Sequence, residues 1–263
     1  TLIGESHLEF FGSRREIARG KMGITAGMLR RSPLIAPADP IINEFIPEGQ
    51  NIIRFGTDKD ELYLTKLTER SDNLTFETIF LDKAITIPVP GKFNATNAML
   101  AAYVGKLENV PEDEIHKALA EVKLTKNRTQ WLKAANGADI LSDVYNANPT
   151  AMKLILETFQ AIPANPNGHK IVVLADLLEL GPEAPAMHAS VAEVMDMQKL
   201  DGVYLYGPLM QNLADVIPAA HYFTDFAQLQ SALNAEIQTE DQVLLKGSNG
   251  MGLAGIVNAL TSE

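Results

Sequence analysis

The second half of the chain alternates between short apolar runs and longer amphipathic stretches. The apolar runs predict strands at 139–142, 171–175, 202–206 and 242–245, with a weaker one at 221–223. The intervening stretches predict helices at 149–160, 183–197, 208–216, 226–237 and 250–260. Continuously apolar strands separated by helices are typical of a parallel sheet covered on both faces. The pattern therefore predicts an α/β domain with a mostly parallel sheet.

The first half opens with a well-marked helix. Ser13-Arg14-Arg15-Glu16 has the spacing of a capping box, in which hydroxyl and carboxylate satisfy free backbone amides at a helix start. Apolar residues then follow at Ile17, Ile24 and Met28, which places them on one helical face. We therefore expect an amphipathic helix that starts after Ser13.

The rest of the first half mixes strand and helix patterns. Strands are predicted at 34–36, 51–55 and 85–90, an antiparallel pair at 61–68 and 73–80, and helices at 95–107 and 112–122. The change to strict alternation comes near Leu124. We therefore expect two domains, 1–124 and 125–263.

Composition and charge narrow the possible functions. The 33 acidic residues outnumber the 22 basic ones, giving a net charge of -11, which disfavours tracking of a nucleic-acid backbone. The absence of cysteine excludes disulfides and thiolate metal sites and fits a reducing cytosol. No apolar run reaches the roughly 18 residues that span a bilayer, and no signal peptide is visible. We expect a cytoplasmic protein without membrane insertion.

Two residues near the first helix are candidates for chemistry. Lys21 lies four residues after Ile17 and three before Ile24, so the spacing places it on the apolar face. Its amine either reaches the surface along an apolar stem or is partly buried, easily deprotonated and open to modification or anion binding. His7 lies in the segment 4–9, where three potential ligands fall within five positions. This segment either holds a divalent cation or is a solvated loop.

Two polar segments follow predicted strands. In 143–149, a helix cap explains Asn148-Pro149 but leaves Asp143, Tyr145 and Asn146 unexplained, at a position where open α/β sheets bind ligands. In segment 91–97, Asn94 is a candidate helix cap. Asn97 falls inside the helix, and helix propensity does not explain an asparagine at that position.

Two glycine-rich nucleotide-binding motifs, the dinucleotide fingerprint and the phosphate loop, are not complete in this sequence. Gly250-x-Gly252-x-x-Gly255 follows a strand but lacks the acidic residue about 20 positions later, so we predict tight helix–strand packing instead of a dinucleotide site. No G-x-x-x-x-G-K-[ST] phosphate loop occurs in the chain. The turn Lys246-Gly247-Ser248-Asn249 is able to present amides and a cation to a small carboxylate.

Six ordered segments together resemble the Mur ligases. They are 3–9 with Gly12-Ser13 and Lys21; 36–40; Gly91-x-x-Asn94-x-x-Asn97-Ala98; Asn127-Arg128 with 143–149; 176–181 with His188; and 246–248. Tyr145-Asn146-Ala147-Asn148-Pro149 beside Leu178-Glu179-Leu180-Gly181 is most similar to the branch of the family that adds D-Ala-D-Ala. The resemblance implies part of the family's central ATPase domain followed by a Rossmann-like C-terminal domain.

The resemblance also implies an activity. Members use ATP and Mg²⁺ to phosphorylate the terminal carboxylate of UDP-MurNAc-tripeptide, and the amine of D-Ala-D-Ala attacks the acyl phosphate. This is an ATP-dependent amide ligation of peptidoglycan precursor synthesis, with consequences for cell wall biogenesis, cell shape and division. We expect a cytoplasmic monomer with these small-molecule substrates as its partners.

Residue roles follow from the same resemblance. Lys21 would be a carbamylated catalytic lysine that binds metal together with His7. Asn94 and Asn97 would lie at the adenine, Arg128 at the phosphates and Asp143 at the ribose or the interdomain hinge. The dipeptide side would be lined by Tyr145, Asn146, Asn148, Lys246 and Ser248.

Departures from the family pattern leave alternatives open. The phosphate loop and the UDP-binding N-terminal domain are missing, and the chain starts at Thr1, so we expect a fragment that is inactive by itself. Val144 replaces a usual serine and Phe93 a common histidine. The alternatives are a non-catalytic α/β binding or interaction module derived from a Mur ligase, and a sister ligase for folate or another peptide acid.

Overall fold

A computed structural model describes residues 2–29 and 31–261. The chain divides into two compact units, Thr1–Lys123 and Leu124–Glu263, with the division one residue before the boundary expected from the sequence. Within the described ranges, no helix combines the length and apolar character needed to cross a membrane.

Over residues 2–29 and 31–123, the first unit contains two small sheets and four α-helices. β1 (Pro33–Pro37) and β2 (Asn51–Phe55) form a parallel pair. An antiparallel sheet comprises β3 (Leu64–Glu69), β4 (Leu74–Thr78) and β5 (Ile85–Ile87), in that order. The helices are α1 (Leu8–Phe11), α2 (Arg14–Met22), α3 (Lys92–Leu107) and α4 (Glu112–Ala120). The predicted antiparallel pair is confirmed, and β5 extends it to three strands.

Helix α2 begins as predicted but ends early. The Oγ of Ser13 accepts a hydrogen bond from the backbone N–H of Glu16 at 3.2 Å, which is half of the expected capping box. After Met22 the chain tightens into a 3₁₀ helix, Gly23–Gly27, whose three residues per turn change the direction of each side chain. Ile24 is therefore exposed, and the predicted apolar face through Ile24 is wrong.

The second unit is built on a six-stranded sheet. Its strands are β6 (Gln130–Lys133), β7 (Asp139–Asp143), β8 (Lys170–Ala175), β9 (Gly202–Tyr206), β10 (His221–Phe223) and β11 (Gln242–Lys246). The order is β10-β9-β8-β11-β7-β6, parallel throughout except for β6, which pairs antiparallel with β7. The mostly parallel sheet is confirmed. β6 was not predicted, because its four residues form no apolar run.

Five α-helices accompany this sheet. They are α5 (Pro149–Ala161), α6 (Ala184–Ala189), α7 (Gln211–Ala214), α8 (Phe226–Glu236) and α9 (Leu253–Thr261). The Oδ1 of Asn148 accepts from the N–H of Ala151 at 2.7 Å, so Asn148 caps α5 as predicted. The single helix predicted at 183–197 is wrong, because that stretch combines α6 with 3₁₀ turns at Gly181–Glu183 and Ser190–Val194.

The glycines after β11 differ in their packing. An added Cβ on Gly250 or Gly255 would meet the side chains of Leu178 or Phe226, which do not belong to strands, so the predicted helix–strand role of this motif is wrong. The close backbone approach to a strand is at Gly247, because a Cβ there would lie 2.7 Å from the Cβ of Ala175 at the end of β8. Glycine at 247 therefore lets the loop after β11 lie directly against β8.

Candidate functional site

The carboxyl edge of the six-stranded sheet brings three loops together. β11 lies between β7 and β8, and the register places Lys246 beside both Asp143 and Leu174. The chain moves outward from β8 through β9 to β10 and then returns to insert β11, so the connections reverse direction at this point. A reversal of strand order is where open α/β sheets form a ligand crevice.

A buried ion pair joins two of these loops. The Nζ of Lys246 donates to Asp143 Oδ2 at 2.6 Å and to the carbonyl of Asn146 at 2.6 Å. The other carboxylate oxygen of Asp143 accepts from the N–H of Thr129 at 3.0 Å. Only 3% of the Lys246 side chain is exposed. Lys246 thus lies at the predicted edge, but its amine faces inward and supports the loop after β7.

A strained loop holds an exposed cation beside an aromatic ring. Asn127 and Thr129 have φ angles of 62° and 44°, in the left-handed region that non-glycine residues rarely adopt. The carbonyl of Asn127 accepts from the N–H of Tyr145 at 3.1 Å. The guanidinium of Arg128 lies 4.1 Å from the centre of the Tyr145 ring. Since both side chains are exposed, the arrangement presents a positive group to an anion.

Two consecutive amides after β8 are each held by a side chain. The N–H of Leu177 donates to His188 Nε2 at 2.9 Å, and the N–H of Leu178 donates to Ser248 Oγ at 2.9 Å. The other His188 nitrogen, Nδ1, lies 2.6 Å from the carbonyl of Ala184, which makes it the protonated one. Burial lowers the pKa of His188 and keeps the ring neutral. The loop after β8 is therefore fixed on two sides.

Asp176 fixes the neighbouring loop after β9. Its buried carboxylate accepts from the N–H groups of Leu209 at 3.1 Å and Met210 at 2.8 Å. Burial raises the pKa of Asp176, although these hydrogen bonds oppose the rise. Gly207 has a φ of 111°, and a Cβ there would lie 2.5 Å from the carboxyl carbon of Asp176. Glycine is required at 207 for the carboxylate to approach.

The edge thus separates into buried supports and exposed surface. Asp143, Asp176, His188, Lys246 and Ser248 lie inside and hold the loops. The exposed residues are Tyr145, Asn146, Leu178, Asn249 and Gly250. Of these, Leu178 and Gly250 were not predicted as site residues, because a sequence pattern does not report which side chain of a tight loop faces solvent.

The predicted adenine residues lie on α3 in the first unit. The helix begins at Lys92, with Gly91 at the cap position, so the expectation that Asn94 caps it is wrong. Instead the Nδ2 of the buried Asn94 donates to the carbonyl of Pro90 at 2.7 Å. Asn97 is exposed on the same helix. Asn97 therefore has room for a ligand, whereas Asn94 is used to shape the helix start.

Lys21 does not lie on the buried face of α2. That face consists of Ile17, Ala18 and Met22, while Lys21 is exposed. The predicted position of Lys21 on the apolar face is therefore wrong. Its amine nevertheless donates to the carbonyl of Leu2 at 2.7 Å, and desolvation lowers the pKa of Lys21. The amine is therefore partly desolvated although the residue as a whole is exposed.

Lys21 in its ammonium form is not a metal ligand. An ammonium that donates to a carbonyl offers a cation no lone pair, and His7 is exposed at a φ of 62°. Over residues 2–29 and 31–261, no group of three or more His, Cys, Asp or Glu side chains is placed to hold a metal. Segment 4–9 contains no such group, and cation binding there stays a prediction.

Comparison with known proteins gives two consecutive domain matches. Residues 1–105 match the Mur ligase middle domain, and residues 127–249 match the Mur ligase glutamate ligase domain. A curated relative is the UDP-N-acetylmuramoyl-tripeptide--D-alanyl-D-alanine ligase of Bacillus subtilis, which is 30% identical over 99% of this chain and 58% of its own length. The Escherichia coli ligase of the same name is 26% identical over 98% of this chain and 58% of its own length.

Solved structures share the fold. MurF from Acinetobacter baumannii has a TM-score of 0.87 at 24% identity, covering 99% of this chain and 58% of that one. MurF from Thermotoga maritima in complex with ADP has a TM-score of 0.81 at 22% identity, covering 99% and 60%. This chain thus spans about 58% of the curated relatives it matches. It belongs to the Mur ligase family, whose middle and C-terminal domains it carries in that order.

Proposed function

We propose that this chain is the larger part of an ATP-dependent ligase that joins D-Ala-D-Ala to UDP-MurNAc-tripeptide through an acyl phosphate. The supporting observation is the match along 99% of the chain to the Bacillus subtilis ligase of that name. The reaction belongs to peptidoglycan precursor synthesis, and we place it in the cytoplasm and in a monomer. Part of this proposal is that residues 1–124 belong to the ATP-binding domain and 125–263 to the ligase domain.

Within each unit taken by itself, exposed polar groups suit nucleotide binding. Arg128 suits a phosphate because its guanidinium is exposed and held against Tyr145. Asn97 suits the adenine because it is exposed on α3, with Asn94 fixing the start of that helix. Asp143 already accepts hydrogen bonds from Thr129 and Lys246, so a ribose hydroxyl would use its remaining lone pairs.

Lys21 and His7 remain the proposed metal-binding pair. An amine with a lowered pKa is more often neutral, and a neutral amine adds carbon dioxide to form a carbamate with loss of one proton. The carbamate would replace the hydrogen-bond donor with an anion. Mg²⁺, when bound, supplies charge neutralisation for phosphoryl transfer. The side chains of this chain then position the reactants.

The dipeptide side would be lined by the carboxyl edge of the second unit. Tyr145 and Asn146 are exposed there and suit direct contact. Lys246 and Ser248 act from below by holding the loops after β7 and β8, and Asn148 acts by capping α5. The amine of the dipeptide attacks the acyl phosphate, and the carboxyl edge orients that amine.

A chimera tests the proposed reaction. The segment of the Bacillus subtilis ligase that precedes its match to this chain is joined ahead of residue 1. With ATP, UDP-MurNAc-tripeptide and D-Ala-D-Ala, we expect phosphate release and a pentapeptide product by mass. We expect D-Glu to replace the dipeptide poorly, and the same chimera with Lys21→Ala to lose most product.

The outcomes separate the alternatives. A folded chimera that binds D-Ala-D-Ala without forming product would indicate a non-catalytic binding module. Product formed with glutamate in place of D-Ala-D-Ala, or with a folate in place of UDP-MurNAc-tripeptide, would indicate a sister ligase. The chain without the added segment is the control, and we expect little turnover from it because its 263 residues contain no phosphate loop.

A further inference from the structure

Leu178 is an aliphatic side chain exposed at an edge whose other exposed residues include Tyr145, Asn146 and Asn249. It is 38% exposed, whereas its neighbour Leu177 is fully buried and Leu180 is 2% exposed. A single exposed leucine is ordinary on a protein surface, so its exposure alone carries no argument. The position of Leu178 carries the argument, because the residue lies in the loop after β8, beside the loop after β11, where the strand order reverses.

The backbone at Leu178 is held in place by two other elements. Its own N–H donates to Ser248 Oγ, and the preceding N–H donates to His188 Nε2. Both partners are buried. The direction of the Leu178 side chain is therefore set before any ligand arrives, which lowers the entropic cost of using it as a contact.

Gly250 borders the same side chain. A Cβ at 250 would lie 3.0 Å from Leu178 Cδ1, so the absence of a side chain there leaves the leucine its present position. Asn249 and Asn146, both exposed, supply amide groups on the loops after β11 and β7. The edge therefore offers one aliphatic surface flanked by polar groups, which suits a short peptide with small apolar side chains.

We propose that Leu178 contacts the methyl side chains of the incoming dipeptide and so selects alanine over glycine. This inference rests on the proposed function, since it takes D-Ala-D-Ala as the dipeptide. Asn146 and Asn249 bind the polar groups of the dipeptide, and Leu178 discriminates its side chains. Gly250 leaves the leucine its present position, because a Cβ there would press on Leu178 Cδ1.

Titration of the isotopically labelled chain with two dipeptides tests the inference. The ratio of the dissociation constants for glycyl-glycine and D-Ala-D-Ala is measured by amide chemical shifts. Burying two methyl groups partly against leucine predicts a preference of about 3- to 10-fold for D-Ala-D-Ala. In Leu178→Ala we expect the ratio to approach one through weaker D-Ala-D-Ala binding, with glycyl-glycine affinity unchanged. Gly250→Ala should lower the ratio partway.

The control is Val216→Ala, which truncates another exposed apolar residue of the same unit and should leave the ratio unchanged. A Leu178→Ala chain that binds both dipeptides with the wild-type ratio would refute the inference and leave the proposed function standing. Failure of the wild-type chain to bind either dipeptide would remove the proposed dipeptide site and the inference with it.

Discussion

At the scale of single residues, the charged groups divide by whether they are buried. Lys246 and Asp143 are inside and bonded to each other, whereas Lys133 and Asp139 form a pair whose lysine is 69% exposed. A buried pair is costly to break because the remaining charge is left without a partner, while an exposed pair is screened by water. The same pairing of residue types therefore has different consequences at the two places.

Removal of one buried charge is expected to destabilise the second unit. Lys246→Met should lower the free energy of unfolding by about 3 kcal/mol, and Asp143→Asn by a similar amount. The double variant should lose at least about 1 kcal/mol less than the sum of the single losses, because the partners interact directly. Urea unfolding followed by circular dichroism measures this. Additive losses of stability would contradict the coupling between the two residues. The control is Lys133→Ala, which is expected to cost less than about 1 kcal/mol.

A second buried lysine gives the protein a specific pH dependence. Lys170 is 4% exposed and its Nζ donates to the carbonyls of Phe159 and Ile162 at the end of α5. Burial lowers its pKa from 10.5 to about 8, with Lys199 adding to the decrease and Asp201 opposing it. Between these two values the unfolded chain binds more protons than the folded one.

Stability should therefore rise as the pH increases from 8 towards 10, because the cost of burying the charged form disappears. Lys170→Met has no such cost and should lack this rise. The urea midpoint of unfolding is measured for the wild type and for Lys170→Met at pH values from 7.5 to 10. The difference between the two midpoints at each pH checks the expectation, because the titration of the other lysines contributes equally to both proteins. Parallel midpoint curves would show that Lys170 titrates normally.

At the scale of elements, the strands were predicted well and the irregular segments poorly. All five parallel strands of the second unit were identified, because each contains a short apolar run, the weakest of them in β10. The helix predicted at 183–197 failed, because the chain changes from α6 to a 3₁₀ turn at Ser190 and apolar periodicity does not report that change. β6 is held by its pairing to β7 rather than by its own pattern.

The turn after β9 is expected to tolerate no side chain at 207. Gly207→Ala combines a left-handed φ with a contact of 2.5 Å to the carboxyl carbon of Asp176, so we expect a loss of about 3 kcal/mol or more. Gly252→Ala shares the positive φ but meets its nearest neighbour at 3.9 Å, and it should cost about 1 kcal/mol. Thermal and urea unfolding measure both variants. Equal losses would show that strain, and not the Asp176 contact, sets the cost at 207.

At the scale of the whole molecule, strand order builds the candidate site. β11 is the last strand in sequence but lies between β7 and β8, which brings Lys246 to Asp143 and Ser248 to Leu178 across 103 and 70 residues. The net charge of -11 means that anionic ligands depend on local groups such as Arg128. The site is therefore a product of topology more than of any one segment.

The sequence by itself determined the α/β class, the strands, the caps at Ser13 and Asn148 and the family, because these depend on local periodicity and short motifs. Only the tertiary structure decided which motif residues are supports and which are surface. Lys246 and Ser248 turned inward and Leu178 outward, and Lys21 lies off the buried face of α2, which consists of Ile17, Ala18 and Met22. Burial and hydrogen-bond partners arise from contacts between distant segments, and local pattern carries no information about those contacts.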